Sequence, residues 1–443
     1  MRIVVFEMPT PASRSKRFIG SFLELGHEVI VVRAVKPEGG QGVPSTEPNL
    51  SEVTFTQEMI NPLNQLVRNF NKDTTRSPVT DLHKEGLRIN LERRTTELPP
   101  SDNWLDKQIV AKAIRTPIPS VRHGGFANVY TLLPNWLMAT EAIVKADPDL
   151  IWAVDLDSLP AGVWASQISN KPIVYQADEL FQDLDYLIPS QRQEWVEIAE
   201  SFVPCASAVV TVCESASRIL ESEFGAKQTS EIFNLAFEAQ NTHEPDVRTK
   251  CGFSSADFLA VMIGNVVPKR GIESAIQMLL EDTLMNLAIV GNGTPEYIAD
   301  LIKFANELGV ASRVHFVGSY GPEALCNGIS TADVNLILLD PNISRNHKHA
   351  MPNKLFDGLA SGLPCVAIQG TDVGDFLTLN NFGLTYTYGD NSALARAARA
   401  AIEHREQVSQ AKAKFTWSNN TQKISSILSK LVVPDQDKDE TSA

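Results

Sequence analysis

The segment from Lys348 to Val366, KHAMPNKLFDGLASGLPCV, combines cationic side chains with the expected start of a helix. Pro352 suits the first turn of a helix, because its missing N–H would be unpaired there. The unpaired N–H groups and the positive end of the helix dipole would then lie beside Lys354. This arrangement is typical of a helix that binds phosphate at its N-terminus. The alternative interpretation is a capped surface helix with solvated lysines.

The same predicted helix carries a carboxylate, Asp357, on its first turns. A carboxylate accepts hydrogen bonds well, so Asp357 could bind hydroxyls of a ribose or another sugar next to a phosphate. Gly362 is placed to end the helix, and residues 365–368 have the pattern of a short buried strand.

Two loops in the second half of the chain each connect a strand pattern to a helix pattern. Residues 264–271 have the sequence GNVVPKRG, and residues 291–295 have the sequence GNGTP. Glycines allow a ligand to approach the backbone closely, and Lys269 and Arg270 could neutralise a diphosphate, with arginine offering two parallel donors. Neither loop is a GxGxxG fingerprint or a P-loop, so the sequence disfavours a nicotinamide dehydrogenase and a P-loop nucleotidase.

Carboxylates follow two strand patterns in the first half. Asp178 and Glu179 come directly after a buried strand in VYQADELF, and Asp155 and Asp157 occupy the equivalent end of the preceding strand. Acids at this position could orient acceptor hydroxyls or take a proton. The alternatives are a helix N-terminal pair for Asp178 and Glu179, and a simple helix cap for Asp157.

The histidines and cysteines do not indicate a metal site. His347 and His349 are two residues apart, but no nearby cysteine or acid completes a ligand set, so we predict no bound metal. The cysteines are far apart in the sequence and lack CxxC spacing, which favours buried thiols over disulfides or zinc ligands. They are Cys205, Cys213, Cys251, Cys326 and Cys365.

Strand and helix patterns alternate along both halves of the chain. In the first half, strands are predicted at 2–6, 28–32, 150–154, 173–175 and 208–213, with helices at 159–168 and 190–203. In the second half, strands are predicted at 258–263, 287–290, 314–317 and 334–338, with helices at 272–280 and 298–308. This alternation predicts an α/β protein with two Rossmann-like, doubly wound parallel sheets.

The predicted domains are 1–245, with an insertion at about 45–130, and 246–416. A helix at 417–432 is expected to return to the first domain, and the polar tail 433–443 is expected to be disordered. Ligands of such sheets bind outside the carboxyl ends of the strands, so we expect the active site in the cleft between the two domains.

Composition excludes some classes of protein. The 443-residue chain has 43% hydrophobic residues and a formal charge of −14, which argues against nucleic-acid binding. No apolar run is long enough to cross a bilayer, and Met1 leads directly into a strand pattern, so we expect a cytoplasmic protein. Residues 63–125 are locally basic and could meet an anionic acceptor or a membrane surface, with a solvated insertion as the alternative. The basic residues are Arg68, Lys72, Arg76, Lys84, Arg88, Arg93, Arg94, Lys107, Lys112, Arg115 and Arg122.

Together these segments resemble the retaining glycosyltransferases of the GT-B fold, in particular glycosyltransferase family 4. The resemblance runs from GHEVIVV through AVVTVCES to PNKLFDGLASGLPCV and covers nearly the whole chain. It implies an N-terminal acceptor domain and a C-terminal donor domain. It also implies transfer of a sugar from a UDP- or GDP-type nucleotide-sugar to an acceptor hydroxyl, with retention of anomeric configuration and usually without a metal or other cofactor.

The donor loop of the family commonly has the form GRLxxxKG, which corresponds here to GNVVPKRG. Gly264 is kept, Asn265 replaces the arginine, and Arg270 takes the place of the lysine. The resemblance therefore implies that Arg270, with Lys269, binds the donor phosphates. The helix start at Asn353 and Lys354 would add to the charge stabilisation of the departing diphosphate.

Other family motifs are altered in this chain. Two glutamates separated by seven residues correspond to His349 and Asp357, so Asp357 is implied to contact the ribose and His349 to face the donor sugar or the phosphates. A frequent HE pair corresponds to Asp178 and Glu179. We therefore take Asp178, Glu179 and His349 as candidate catalytic residues.

Two alternatives remain open at the level of the sequence. One is a catalytically inactive homologue that binds nucleotide-sugar or serves as the partner of an active transferase. The other is a nucleotide-sugar epimerase or phosphorylase on a similar double sheet. The acceptor could be a saccharide, a lipid-linked molecule or another small molecule, and the sequence identifies neither the donor sugar nor the oligomeric state.

Overall fold

A computed structural model of the chain describes residues 1–8, 13–34, 48–55, 129–240 and 243–431. The chain divides into two compact units, one of which joins Met1–Ile232 with residues 422–431, while the other comprises Phe233–Thr421. The sequence placed the division after residue 245, and in the structure it falls after Ile232. The basic residues of 63–125, most of the predicted insertion and the tail 433–443 lie outside the described residues.

The described strands of the first unit form one parallel sheet. They are β1 (Arg2–Glu7), β2 (Glu28–Ala34), β3 (Leu50–Phe55), β4 (Leu150–Val154), β5 (Ile173–Gln176), β6 (Ala208–Thr211) and β7 (Thr229–Glu231). Their order is β3-β2-β1-β4-β5-β6-β7. Because β1, β4 and β5 are parallel neighbours, the residues that follow them lie at the same edge of the sheet, and the order of the strands reverses between β1 and β4.

Helices connect these strands and cover the sheet. They are α1 (Ser13–Glu24), α2 (Val129–Lys145), α3 (Leu159–Ser169), α4 (Pro189–Phe202) and α5 (Glu214–Phe224), and the C-terminal helix α15 (Thr421–Leu431) completes the unit from residue 422. Every residue of β4 is buried, as expected for a central parallel strand with helices on both faces. Phe22 of α1 packs edge-on against Trp152 of β4, with ring centroids 4.9 Å apart.

The described strands of the second unit form another parallel sheet. They are β8 (Phe258–Ile263), β9 (Met285–Val290), β10 (Val314–Gly318), β11 (Val334–Ile337), β12 (Cys365–Ile368) and β13 (Gly383–Tyr386). Their order is β10-β9-β8-β11-β12-β13. The reversal at β8 places the loops after β8 and β11 beside each other at the carboxyl edge of the sheet.

The helices of the second unit lie between successive strands and after the last one. They are α6 (Val247–Cys251), α7 (Ile272–Met278), α8 (Pro295–Glu307), α9 (Pro322–Ile329), α10 (Arg345–His349), α11 (Asn353–Ala360), α12 (Asp372–Asn380), α13 (Asn391–Ala400) and α14 (Arg405–Ala411). Two parallel-sheet α/β units confirm the predicted fold class. Among the described helices, none combines the length and the apolar composition that crossing a membrane would require.

Some elements were not predicted from the sequence. β7 consists of the polar residues TSE at the edge of the first sheet, and β13 begins with a glycine at the edge of the second, so neither has the apolar run of a central strand. α5 is also absent from the predictions. The predicted strand 208–213 was too long, because β6 ends at Thr211 and α5 begins at Glu214.

Candidate functional site

The phosphate-binding segment predicted from the sequence forms a strand-end helix of the second unit. Pro352 lies just before α11 in an extended conformation, with φ −74° and ψ 154°, so the prediction that Pro352 occupies the first turn was wrong by one residue. Asn353 and Lys354 therefore contribute the first helical N–H groups. The Leu355 N–H already bonds to the Pro352 carbonyl at 3.0 Å, which tightens the first turn.

A buried asparagine holds the start of α11 against the sheet. Asn335 of β11 is fully buried, and its Nδ2 donates a hydrogen bond to the Lys354 carbonyl at 2.9 Å. A Cβ at position 358 would overlap the amide of Asn335, so Gly358 allows the helix to pack this closely. The position of Lys354 is thus set by a core contact rather than by a surface loop.

Lys354 and Arg270 form the cationic centre of this unit. Burial lowers the pKa of the Lys354 ammonium to about 7, and the charge of Arg270 lowers it further in the same direction. Two cations that destabilise each other in the absence of a ligand gain free energy when an anion binds between or beside them. The structure therefore brings together two of the predicted donor-binding residues.

The turn that carries Arg270 has an unusual backbone. Lys269 has φ 66° and Gly271 has φ 80°, both in the left-handed region. A Cβ at Gly271 would overlap the carbonyl oxygen of Leu338 and lie 2.5 Å from its Cβ. The turn therefore packs directly against the end of β11, and Arg270, between these two residues, is half-buried.

The loops after β8 and β9 are joined by backbone hydrogen bonds. The Gly264 N–H donates to the backbone carbonyl of Val290 at 2.9 Å, and the Val266 N–H donates to the backbone carbonyl of Asn292 at 2.8 Å. Gly264 and Asn265 are exposed, as is Lys269. Backbone hydrogen bonds therefore hold the first residues of the predicted donor loop in place, while several of its side chains remain accessible to solvent.

Asp357 lies one helical turn after Asn353, so the two share one face of α11. Asp357 is 7% exposed, and its carbonyl accepts a hydrogen bond from Ser361 Oγ at 2.6 Å. The predicted ribose-binding carboxylate is therefore placed within one turn of the cationic helix start.

His349, the last residue of α10, pairs with a carboxylate that the sequence analysis did not identify. Its Nδ1 lies 3.1 Å from Oδ1 of Asp372, the first residue of α12. Since a carboxylate only accepts, Nδ1 carries the hydrogen. His347 is buried, and its Nδ1 lies 3.2 Å from the Asp340 carbonyl. Among the described residues, no group of three or more His, Cys, Asp or Glu side chains is arranged to hold a metal ion.

In the first unit, carboxylates gather where β4 and β5 end. Asp155 has a left-handed backbone, with φ 59°, and its Oδ1 accepts the Asp178 N–H at 3.0 Å. Burial and then the charges of Asp178, Asp157 and Glu179 raise the pKa of Asp155 well above its usual value. Burial raises the pKa of Asp157 to about 7. These shifts show that four carboxyl groups share a small, partly desolvated region.

An arginine from α1 joins this group. Arg14 Nη1 forms an ion pair with Asp178 Oδ1, and its Nη2 donates to the carbonyls of Thr211 at 3.2 Å and Ile232 at 2.5 Å. Gln176 Nε2 also donates to Asp178 Oδ1 at 2.8 Å. The sequence analysis missed Arg14, although a cation just after the loop that follows β1 was the available signal. Glu179 is exposed, and only a short 3-10 helix at 181–183 follows, so the pair does not begin an α-helix.

Comparisons with known proteins agree with this architecture. Residues 258–404 match the family model described as Glycosyl transferases group 1. No curated protein matches the chain at a significant level.

Solved structures with similar folds cover almost the entire chain at low sequence identity. Anabaena Alr3699/HepE in complex with UDP and glucose is 17% identical to this chain, with a TM-score of 0.63. The alignment covers 97% of this chain and 100% of the Anabaena chain. Sucrose-phosphate synthase (tll1590) from Thermosynechococcus elongatus is 15% identical with a TM-score of 0.66, covering 97% and 98%. An E. coli structure described as trehalose-6-phosphate bound with UDP-2-fluoro glucose is 12% identical with a TM-score of 0.60, covering 98% and 100%.

Similarity at this level of identity establishes the fold, and the family match bears on the second unit, which contains Arg270, Lys354 and Asp357. The chain therefore has the two-domain α/β fold of these solved structures, and residues 258–404 form a domain that matches the Glycosyl transferases group 1 model.

Proposed function

We propose that this chain is a family 4-type glycosyltransferase that transfers a sugar from a UDP- or GDP-type nucleotide-sugar to an acceptor hydroxyl, with retention of anomeric configuration. The main observation behind the proposal is that two positively charged side chains, Arg270 and Lys354, lie close enough to repel each other at the start of α11. Two cations and a helix N-terminus at one strand edge suit a diphosphate. The structures of Anabaena Alr3699/HepE with UDP-glucose and of the E. coli protein with UDP-2-fluoro glucose support the choice of donor class.

The proposed donor-binding residues share the carboxyl edge of the second sheet. They are Gly264, Asn265, Lys269, Arg270, Asn353, Lys354 and Asp357. In the reaction, the bond between the anomeric carbon and the diphosphate oxygen breaks, and the acceptor oxygen forms the new bond on the same face of the sugar. Arg270 and Lys354 would stabilise the charge that develops on the departing diphosphate, which is the largest demand of such a transfer.

Candidate catalytic residues complete the proposal. His349, held by Asp372, would hydrogen-bond a hydroxyl of the donor sugar or a phosphate oxygen. Asp178 and Glu179 would orient the acceptor hydroxyl, and its proton would pass to the oxygen of the departing diphosphate on the same face as the new bond forms. The reaction as proposed needs no metal or organic cofactor, and the cytoplasmic location expected from the sequence stays a prediction.

The proposal is tested by ligand binding followed by product analysis. UDP or GDP, and the matching nucleotide-sugar, should raise the unfolding temperature, because a ligand at one hundred times its Kd stabilises the native state by about 2.7 kcal/mol. The transferred sugar should then appear in the donor's anomeric configuration when the product is examined by NMR. An inverted product would refute retention, and no stabilisation by any nucleotide or nucleotide-sugar would refute the donor assignment.

One alternative is favoured by specific contacts. His349 stands where the family has a glutamate, and Asp178 is held in an ion pair by buried Arg14. A protein with these features could bind nucleotide-sugar without transferring it. Nucleotide binding by calorimetry, with no release of nucleotide diphosphate from a panel of nucleotide-sugars and acceptors, would select this alternative over transfer.

The lowered pKa of Lys354 predicts that nucleotide binding takes up a proton. At pH 7 the ammonium is about half deprotonated in the free protein, and a bound diphosphate raises its pKa, so binding should take up about half a proton at this site. The affinity for UDP should therefore be about tenfold weaker at pH 8.5 than at pH 6. Calorimetry in buffers of different ionisation enthalpy measures the uptake directly.

The control for this prediction is Lys354→Met, which keeps the length of the side chain and removes the titrating group. Since UDP itself titrates near neutral pH, the difference between the wild type and the variant isolates the contribution of Lys354. Equal proton uptake in the two proteins would contradict the assignment of Lys354 to the diphosphate site.

A further inference from the structure

The first residues of the second unit form a segment that is held by residues near the end of the same unit. The chain enters this unit at Phe233. The Nδ2 of buried Asn420 donates to the Phe233 carbonyl at 3.0 Å. The Ala236 N–H donates to the Phe415 carbonyl at 2.8 Å. Residues 233–236 are therefore an ordered part of the second unit, and we call them the entry segment.

The entry segment packs against α11. The Phe233 ring stacks on the Phe356 ring of this helix, with ring centroids 5.3 Å apart and an angle of 29° between the planes. Both rings also meet the Phe376 ring edge-on, at centroid distances of 5.9 and 6.0 Å. Phe356 is fully buried, so this aromatic cluster holds the entry segment on the helix.

The second residue of the entry segment, Asn234, bonds to the chain just before α11. Asn234 is 8% exposed, and its Nδ2 donates to the Met351 carbonyl at 3.1 Å. Asn335 of β11 makes the same kind of bond to the Lys354 carbonyl. Two buried amides therefore hold the backbone on both sides of Asn353, the first residue of the helix.

The Asn234 amide is poorly paired for a group that only fills the core. Its Oδ1 is buried and has no hydrogen-bond partner among the described groups, and the same is true of Asn335. A buried acceptor without a partner lowers the free energy of unfolding, so an apolar side chain of similar size would suit the core at least as well. The one bond that Asn234 makes, to the Met351 carbonyl, gives the amide a reason to be there.

We infer that Asn234 is a positioning residue for the proposed donor site, where it holds the start of α11 in the place that the donor diphosphate requires. Asn234 acts through the Met351 carbonyl and does not itself touch the donor. Since phosphate binding by a helix N-terminus depends on where its N–H groups lie, a displaced helix start binds less tightly. The inference rests on the proposed function, because that function assigns Lys354 and the helix start to the diphosphate.

The first test replaces Asn234 by leucine in the full chain. Asn234→Leu leaves the Met351 carbonyl unpaired but also removes the unpaired Oδ1, so the free energy of unfolding should change little. The affinity for UDP or GDP, whichever stabilises the wild type, should fall about tenfold, which is the effect of about one hydrogen bond. Calorimetry measures the affinity, and chemical denaturation measures the stability.

Asn286→Leu is the matched control. Asn286 is 9% exposed, and its Nδ2 donates to the Phe258 carbonyl at 3.2 Å. The two residues lie at the amino ends of β9 and β8, at the edge of the sheet opposite to the start of α11. Asn286→Leu should keep the nucleotide affinity of the wild type. Equal affinities of Asn234→Leu and Asn286→Leu would overturn the inference.

A conservative variant adds a pH profile. Asn234→Asp keeps the shape of the side chain, but an ionised carboxylate only accepts and cannot donate to the Met351 carbonyl. Burial favours the neutral carboxyl, whose O–H can donate. Relative to the wild type, nucleotide affinity should recover from about tenfold weaker at pH 8.5 to within about twofold at pH 5.5. Asn234→Leu carries no charge, so its ratio should stay constant, and a constant ratio for Asn234→Asp would contradict the positioning role.

Hydrogen exchange in the free protein separates this inference from the proposed function. The Leu355 amide, which bonds to the Pro352 carbonyl, should exchange about tenfold faster in Asn234→Leu than in Asn286→Leu, and equal rates would refute positioning by Asn234. A wild type that binds UDP or GDP, with no difference between the two variants, leaves the proposed function intact. A wild type that binds no nucleotide or nucleotide-sugar refutes that function, and the exchange of Leu355 then decides whether Asn234 holds the helix start.

Discussion

Arg270→Ala should lower donor turnover by about two to three orders of magnitude, the range seen when one preorganised group that stabilises transition-state charge is removed. Arg270 is half-buried in a constrained turn, and its charge acts on Lys354 at the start of α11. A half-buried guanidinium next to a second cation stabilises the charge on a departing diphosphate more than a fully solvated lysine does, because less solvent screens the interaction. Steady-state release of nucleotide diphosphate measures the effect.

A second readout distinguishes loss of the phosphate contact from general damage. Without Arg270, one of the two causes that lower the pKa of Lys354 disappears, so this pKa should rise and the proton uptake on nucleotide binding at pH 7 should fall. The matched control is Lys303→Ala, which removes a cation whose side chain is 77% exposed on α8. Turnover by Arg270→Ala equal to that of the control would contradict the donor-site assignment.

Gly271→Ala should lower the free energy of unfolding by about 2 to 5 kcal/mol and weaken nucleotide binding as well. Gly271 has φ 80°, a conformation that costs an alanine about 1 to 2 kcal/mol. The new Cβ would also overlap Leu338, and overpacking of this kind typically costs a further 1 to 3 kcal/mol. Relief of the overlap moves the turn away from β11 and displaces Arg270 with it. Chemical denaturation and UDP titration measure the two effects.

Gly309→Ala separates these two causes. Gly309 has φ 71° in the same unit, but no atom lies within 4 Å of the position its Cβ would take. It should therefore show only the backbone cost, with nucleotide affinity unchanged. If Gly271→Ala were no more destabilising than Gly309→Ala, the packing of the turn against Leu338 would not constrain the donor loop as described.

The central strands of both sheets were predictable because strands that are buried on both faces consist of continuous apolar residues. β4, β8 and β12 have the bounds that their apolar runs predicted. Edge strands are solvated on one side, so β7 and β13 carry polar residues and lack that signal. The misplacement of Pro352 by one residue has a similar local cause, because proline suits both the position before a helix and its first turn.

Partners of the candidate site residues depend on contacts between distant parts of the chain. Arg14 and Asp178 are 164 residues apart, and His349 and Asp372 are 23 residues apart. Neither pair has a fixed spacing that a sequence pattern could reveal. The order of strands brings the first pair together, since α1 follows β1, which pairs with β4, and β4 pairs with β5.

The sequence by itself determined the α/β class, the cationic loop with Lys269 and Arg270, a helix that starts within two residues of Lys354 and the acids after β4 and β5, because each depends on local periodicity, turn chemistry or residue type. Only the tertiary structure decided which of these groups interact. Burial and the charge of Arg270 lower the pKa of Lys354, and burial together with the neighbouring carboxylates at one sheet edge raises the pKa of Asp155. Desolvation and electrostatic interaction depend on distances in space, which the strand order sets and the local sequence does not contain.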